Sequence, residues 1–391
     1  MDQQRLPRSY PYEDKGMSRL FPTPISKRPW RAVLCVVIWT LLLTTSCRDS
    51  ESALAPTTEP TEPRPSATDT APTPTASSTQ SPTSTSTLTA TPTRTSTPTP
   101  TSTPAPTATP LHPLAIEAMR QRSYPGSELV IEETLSPNAN YDRYVASYQS
   151  EGLKIYAMLT VPQGNKPESG WPMIVFNHGY IPPDQYRTAK RYLAYVHEFA
   201  SQGYVVLAPD YRGHANSEGE PADAFTAPDY TIDVLNAVAS LQRYPDADPQ
   251  RVGLWGHSMG GTLVLRAMVV SDQIDAGVIW AGVVAPIEDV WEKRPHWIAD
   301  DLRDTPEADR TPVPPTGGIF AHGMFEENAE FWASVDPTFH LEELSGPLQL
   351  HHSKADDSVP VEWSEGLHAR LQDVGPSVEL YLYEGDNHNL S

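Results

Sequence analysis

From about Ala53 to His112 the chain is nearly all Thr, Pro, Ser and Ala. A segment of this composition carries too little apolar surface to offset the entropy lost when a backbone is ordered. Whatever this chain folds into must therefore come from the residues that follow. Roughly 280 residues, from about Pro113 to Ser391, are enough for one α/β domain with a substantial core. The tract over 48–112 reads as a disordered linker. Proline favours an extended polyproline II path of about 3.1 Å per residue, so the linker is a stalk of at most roughly 190 Å.

Before the stalk, Lys27, Arg28 and Arg31 precede an apolar run from Ala32 to Leu43, and Thr44-Thr45-Ser46-Cys47 follow. A basic flank and a short apolar run form a secretory-type targeting segment, shorter than a membrane span requires. The flank is long for such a segment, and Met17 offers a later start. The residues ending at Cys47 resemble a bacterial lipobox, with Thr44 where leucine is usual. That resemblance implies cleavage before Cys47 and its lipidation. Residues 1–47 are thus expected to act as a signal or lipoprotein-type anchor holding the domain at a membrane outside the cytoplasm. An uncleaved anchor or full secretion would place the domain on the same side. Cys35 and Cys47 are the only cysteines, so residues 113–391 contain no disulfide, cysteine nucleophile or thiolate metal site. The formal net charge of -21 argues against a nucleic-acid partner, which needs clustered Lys and Arg.

Beyond the stalk the pattern alternates. Strands are expected at Leu129–Leu135, Arg143–Gln149, Lys154–Val161, Pro172–Asn177, Tyr204–Ala208, Val252–Trp255, Ala276–Val284, Leu348–His351 and Val378–Tyr383. Helices are expected at Thr188–Gln202, Tyr230–Leu241, Thr262–Val270 and Trp363–Leu371. Short, continuously apolar strands between helices predict a mostly parallel sheet with helices on both faces. Residues 285–346 interrupt the alternation. Trp291, Trp297 and Trp332 stand there among prolines and charges, either as a lid over a pocket or as a packed structural insertion.

Gly256-His257-Ser258-Met259-Gly260 fits G-x-S-x-G, with a buried strand before it and a helix after it, as the motif requires. The sharp turn lifts the serine hydroxyl above the sheet, and the helix N-terminus offers N–H groups to a developing oxyanion. Met259 N–H is one candidate donor. The loop after Pro172–Asn177 supplies the other, assigned to Tyr180 N–H. A serine nucleophile needs a base and an orienting acid, in the chain order Ser, Asp, His for this arrangement. Two carboxylates, Asp356 and Asp357, follow the strand at Leu348–His351. His388, beyond the last strand, can reach back over the sheet as base. Asp386 is near it in sequence but does not follow the preceding strand. His178, Asp210 and Arg212 read as loop-fixing residues. No ligand spacing around His351 and His352 suggests a metal, and the sequence implies no cofactor.

Five segments together resemble the catalytic domain of the prolyl-oligopeptidase and dienelactone-hydrolase groups of the α/β-hydrolases. They are Asn177-His178-Gly179-Tyr180, Asp210-Tyr211-Arg212-Gly213, Gly256–Gly260, Asp356–Pro360 and Gly385–His388, within about Tyr141–Ser391. The resemblance implies an α/β-hydrolase fold and a Ser258–His388–Asp356 triad working through an acyl-enzyme. It favours Asp356 over Asp357, because the acid usually stands four residues before the proline of a Val-Pro pair. It also implies a substrate that is a peptide or an ester, with a prolyl-oligopeptidase-like peptidase expected first and a carboxylesterase second. An inactive surface-tethered binding protein is the reading from another class. Prolyl oligopeptidases also carry a β-propeller, and nothing here is long enough to be one. Relatives usually continue into a final helix, whereas this chain stops three residues after His388, which is expected to weaken the domain. The oligomeric state is left open.

Overall fold

A computed structural model describes residues 110–298 and 318–389 of the chain. The targeting segment with Cys47, nearly all of the stalk, and residues 299–317 of the insertion lie outside the described residues. No helix among the described residues is long and apolar enough to cross a membrane.

In β4 (Trp171–Asn177) the sequence Trp-Pro-Met-Ile-Val-Phe-Asn is apolar on both sides of the pleat. Met173 and Val175 enter one apolar cluster, whereas Ile174 and Phe176 enter another. That is the expected behaviour of a strand covered on both faces. β5 (Val205–Pro209) is buried at every position. Around these two runs β1 (Val130–Leu135), β2 (Tyr141–Ser150), β3 (Leu153–Pro162), β6 (Ala247–His257), β7 (Ala276–Trp280), β8 (Leu348–Ser353) and β9 (Val378–Tyr383) complete one nine-stranded sheet. Its order is β1-β2-β3-β5-β4-β6-β7-β8-β9. The pairings from β1 through β3 to β5 are antiparallel, and those from β5 through to β9 are parallel. The C-terminal ends of β4, β6, β8 and β9 thus lie along one edge, where ligand sites form in open α/β sheets.

Helix α1 (Ile116–Arg120) precedes the sheet. Helices α3 (Asp229–Leu241) and α4 (Met259–Val270) cover one face, and α4 is buried at all its residues. Helix α2 (Leu193–Ser201) covers the other through Val196 and Ala200. A cavity of about 510 Å³ opens on the α2 side beside Met173, Ile174, Phe199, Trp255 and Val278. It lies by the earlier parts of the strands, away from the edge that carries Ser258.

Three elements differ most from expectation, and of these β6 begins at Ala247 rather than Val252. Helix α2 begins at Leu193 rather than Thr188, because Ala189 and Tyr192 adopt left-handed backbone, at φ 56° and φ 55°. Strand β7 ends at Trp280 rather than Val284. Ala281 turns to φ 47°, and Val283 N–H then donates to Ser258 O at 3.1 Å.

The insertion holds α5 (Ile287–Lys293) and α6 (Ala329–Val335), and α7 (Val361–Val374) follows β8. Trp291 and Trp332 are buried with Ile319, Phe320, Trp363 and the N-terminal Leu114. These two tryptophans fill core. Trp297 is only partly buried, 6.1 Å from Trp363 between ring centres.

Candidate active site

Ser258 stands between β6 and α4 with φ 55° and ψ −120°. A side chain rarely takes that backbone, and such outliers gather at functional sites. The flanking glycines explain how the turn is accommodated. A Cβ on Gly256 would run into the carbonyl of Gly260, and one on Gly260 into the carbonyl of Asn177. The start of α4 is therefore pressed onto the end of β4. The turn is pinned from outside as well, since Ser258 N–H donates to Trp280 O at 3.0 Å.

The loop after β4 lies against this turn. A Cβ added to Gly179 would stand 3.1 Å from Ser258 Cβ. Gly179 N–H is engaged, donating to Tyr192 Oη at 3.0 Å, and Tyr180 is the next residue towards solvent. Met259 is the first residue of α4, and the first N–H groups of a helix have no partner within it.

Of the two carboxylates after β8, Asp356 reaches His388, with His388 Nδ1 at 2.8 Å from Asp356 Oδ2. Asp357 is exposed and accepts from its neighbour Ser358 Oγ at 3.3 Å. Asp356 is satisfied all round. Its Oδ1 accepts from Ser358 N–H at 2.9 Å and Val359 N–H at 3.0 Å. Its Oδ2 also meets His352 Nε2 at 3.2 Å. Burial disfavours the charge, but the hydrogen bonds from His352 and His388 outweigh it and hold the carboxyl well below the usual range. A carboxylate so held orients the imidazole with its proton on Nδ1 and leaves Nε2 as acceptor.

His388 sits over the serine turn. His257 Nε2–H donates to His388 O at 3.0 Å, and the two rings are 4.6 Å apart. Ser258 Oγ and the His388 ring do not share a hydrogen bond in the structure; in ligand-free enzymes this contact is often long and closes only with substrate. Asp386 contributes its backbone carbonyl, which accepts from Ser353 Oγ.

His178, Asp210 and Arg212 lie in the loops beneath. The His178 ring is stacked between Tyr186 and Tyr211, each 4.3 Å away, and its Nδ1–H donates to Gly179 O at 2.7 Å. Arg212 binds Asp233, Asp229 and Glu151. Sequence reasoning passed over His352, Ser353, His257 and Tyr192. The place of His352 four residues before Asp356 is the signal that finds it. Tyr192 carries none, because its role depends on a turn the sequence does not announce. Among the described residues no group of three or more His, Cys, Asp or Glu could hold a metal.

Burial pushes His178 down to about 3, with His214 adding to the effect. Burial and the neighbouring His388 push His257 down to about 4, and burial alone does the same to His351. A histidine held neutral in this way stabilises the fold fully above its ordinary value, and the contribution fades as pH falls towards the folded value. Asp210 runs the other way. Burial raises it to about 8 against hydrogen bonds from Thr188 and Tyr186. Its contribution is complete below the ordinary carboxylate value and is lost as pH rises through about 8. Between about pH 7 and about pH 5 these three histidines together lose more than Asp210 returns, so this set of groups shifts the balance towards lower stability at the lower pH. Urea midpoints at the two pH values check this; equal midpoints would contradict it.

A model of the family "Serine aminopeptidase, S33" matches residues 172–306, which include the serine turn. The uncharacterized peptidase YtmA of Bacillus subtilis is 25% identical over 257 residues, covering 65% of this chain and 88% of YtmA. The uncharacterized peptidase YuxL of the same organism is 26% identical over 254 residues, and the match spans only 34% of YuxL. Among solved structures, a Mycobacterium tuberculosis puromycin-hydrolyzing peptidase superposes with a TM-score of 0.51 at 22% identity, over 64% of this chain and 37% of that one. An acetyl xylan esterase from Paenibacillus sp. R4 gives 0.52 at 17% identity, over 70% and 86%. The chain belongs to the α/β-hydrolase superfamily. The family model and the peptidase relatives mark the chain as a serine hydrolase.

Proposed function

We propose that the chain is a prolyl-oligopeptidase-like serine peptidase acting through Ser258, His388 and Asp356 and an acyl-enzyme. The observation that carries the reading is the Asp356–His388 hydrogen bond at 2.8 Å beside the Ser258 turn. In the reaction His388 Nε2 takes the proton of Ser258 Oγ as the oxygen attacks the carbonyl carbon, and Asp356 stabilises the imidazolium. The N–H groups of Tyr180 and Met259 receive the oxyanion. His388 returns the proton to the leaving group, and water then hydrolyses the ester with His388 as base again. The basic flank, apolar run and Cys47 support an extracytoplasmic, membrane-anchored setting with 48–112 as its stalk.

A carboxylesterase is the second reading. Among the described residues no propeller gates the site, and the esterase superposition spans most of that enzyme. The test is hydrolysis by the full chain of aminoacyl or prolyl anilides and of short acyl esters, beside labelling with a serine-directed phosphonate. Anilide turnover with labelling at Ser258 is expected. Ester turnover alone would move the reading to esterase. Absence of labelling would sink both in favour of a binding protein.

A further inference from the structure

His388 lies in the short loop after β9, and its ring alone is oriented by Asp356. What sets its backbone is a separate chain of hydrogen bonds. Gly179 N–H donates to Tyr192 Oη at 3.0 Å, Tyr192 Oη meets His257 Nδ1 at 2.9 Å, and His257 Nε2 meets His388 O at 3.0 Å. The directions are fixed by elimination. A carbonyl can only accept, so Nε2 of His257 carries the proton. A neutral imidazole then accepts at Nδ1, so the Tyr192 hydroxyl donates there. Its oxygen is left to accept from Gly179. Burial keeps His257 neutral, which preserves this polarity. Tyr192 occupies left-handed backbone at φ 55°, directly before α2, and this places its hydroxyl between the two loops. Tyr195, one turn on, donates to Asn389 O, so α2 holds the same loop a second time.

We propose that Tyr192 and His257 are positioning residues, which set His388 through its own carbonyl and tie it to the loop that carries the Tyr180 oxyanion donor. This rests on Ser258, His388 and Asp356 being the catalytic set. One chain then governs both the base and the oxyanion site, and breaking any link disturbs proton transfer and carbonyl polarisation together.

The experiment uses the full chain and the variants Tyr192→Phe, His257→Leu, His257→Gln and the Tyr192→Phe/His257→Leu double. Sites are titrated with the phosphonate, and kcat and KM are measured per titrated site. Tyr192→Phe and His257→Leu are each expected to lower kcat on the order of 10- to 100-fold, with KM changed by less than about twofold. The double should be no worse than the poorer single, because both break one chain. Gln places a donor near the Nε2 position, so His257→Gln should recover most of the loss. Unchanged kcat per titrated site, or losses that multiply in the double, would overturn the proposal. A merely structural role would lower the number of titratable sites and leave their turnover intact. If His257→Leu fails to fold, Tyr192→Phe decides alone, since it removes one hydroxyl. A parent chain that the phosphonate does not label would instead overturn the catalytic assignment beneath the proposal.

Discussion

Ser258→Ala is expected to lower kcat by a factor of order 10⁴ or more, and Asp356→Asn by about 10⁴. The second loss has its own cause. Asp356 Oδ2 receives His388 Nδ1 while Oδ1 is held by Ser358 and Val359 N–H groups. An amide at this position keeps the shape but offers N–H where oxygen stood. His388 must then accept at Nδ1 and carry its proton on Nε2, which faces the serine as a donor and cannot act as base. His352, which also points Nε2 at this carboxyl, would face the same conflict. The double variant should be no slower than Ser258→Ala, because without the nucleophile the base has nothing to activate. Rates per milligram of folded protein, with binding followed separately, check this. A double variant slower than both singles by the product of their factors would show that the two residues act independently.

Arg212→Ala is expected to destabilise the fold by about 3–5 kcal/mol. Arg212 meets Asp233 at 2.8 Å, and the side chain of Asp233 is fully buried. Burial already raises the pKa of Asp233 despite the arginine, so removing the guanidinium leaves a buried carboxyl with Ser150 Oγ and the Arg212 backbone N–H as partners. Replacing both residues with apolar ones of similar volume should cost much less than Arg212→Ala. Urea unfolding of the three proteins measures the difference. A midpoint unmoved in Arg212→Ala, with turnover per titrated site reduced, would make Arg212 part of the active site rather than a fixture of its loop.

The fold was largely legible because its strands are short apolar runs between helices, and that pattern has few other solutions. The apolar faces of β4 and β5 are written in consecutive residues. Helix α2 and the end of β7 were misjudged for one shared reason. Ala189, Tyr192 and Ala281 hold left-handed backbone, a conformation that alanine and tyrosine do not announce in a sequence. The site was legible where a residue type is tied to a local motif, as Ser258 is. It was partly legible where two candidates stood side by side: Asp356 and Asp357 differ in burial, which composition does not reveal. The chain through Tyr192 and His257 was not legible. It depends on the meeting of three loops far apart in sequence.

Helix α1 sits at a junction. Leu114 and Ala115 belong to the aromatic cluster of the insertion, while Ile116 and Met119 belong to the main cluster under α4. A pull on the chain at Pro110 would therefore reach the insertion before it reached the sheet. Mechanical load on this domain would be borne first by Trp332 and its neighbours. The contacts of Ile116 and Met119 with the main cluster would take the load next.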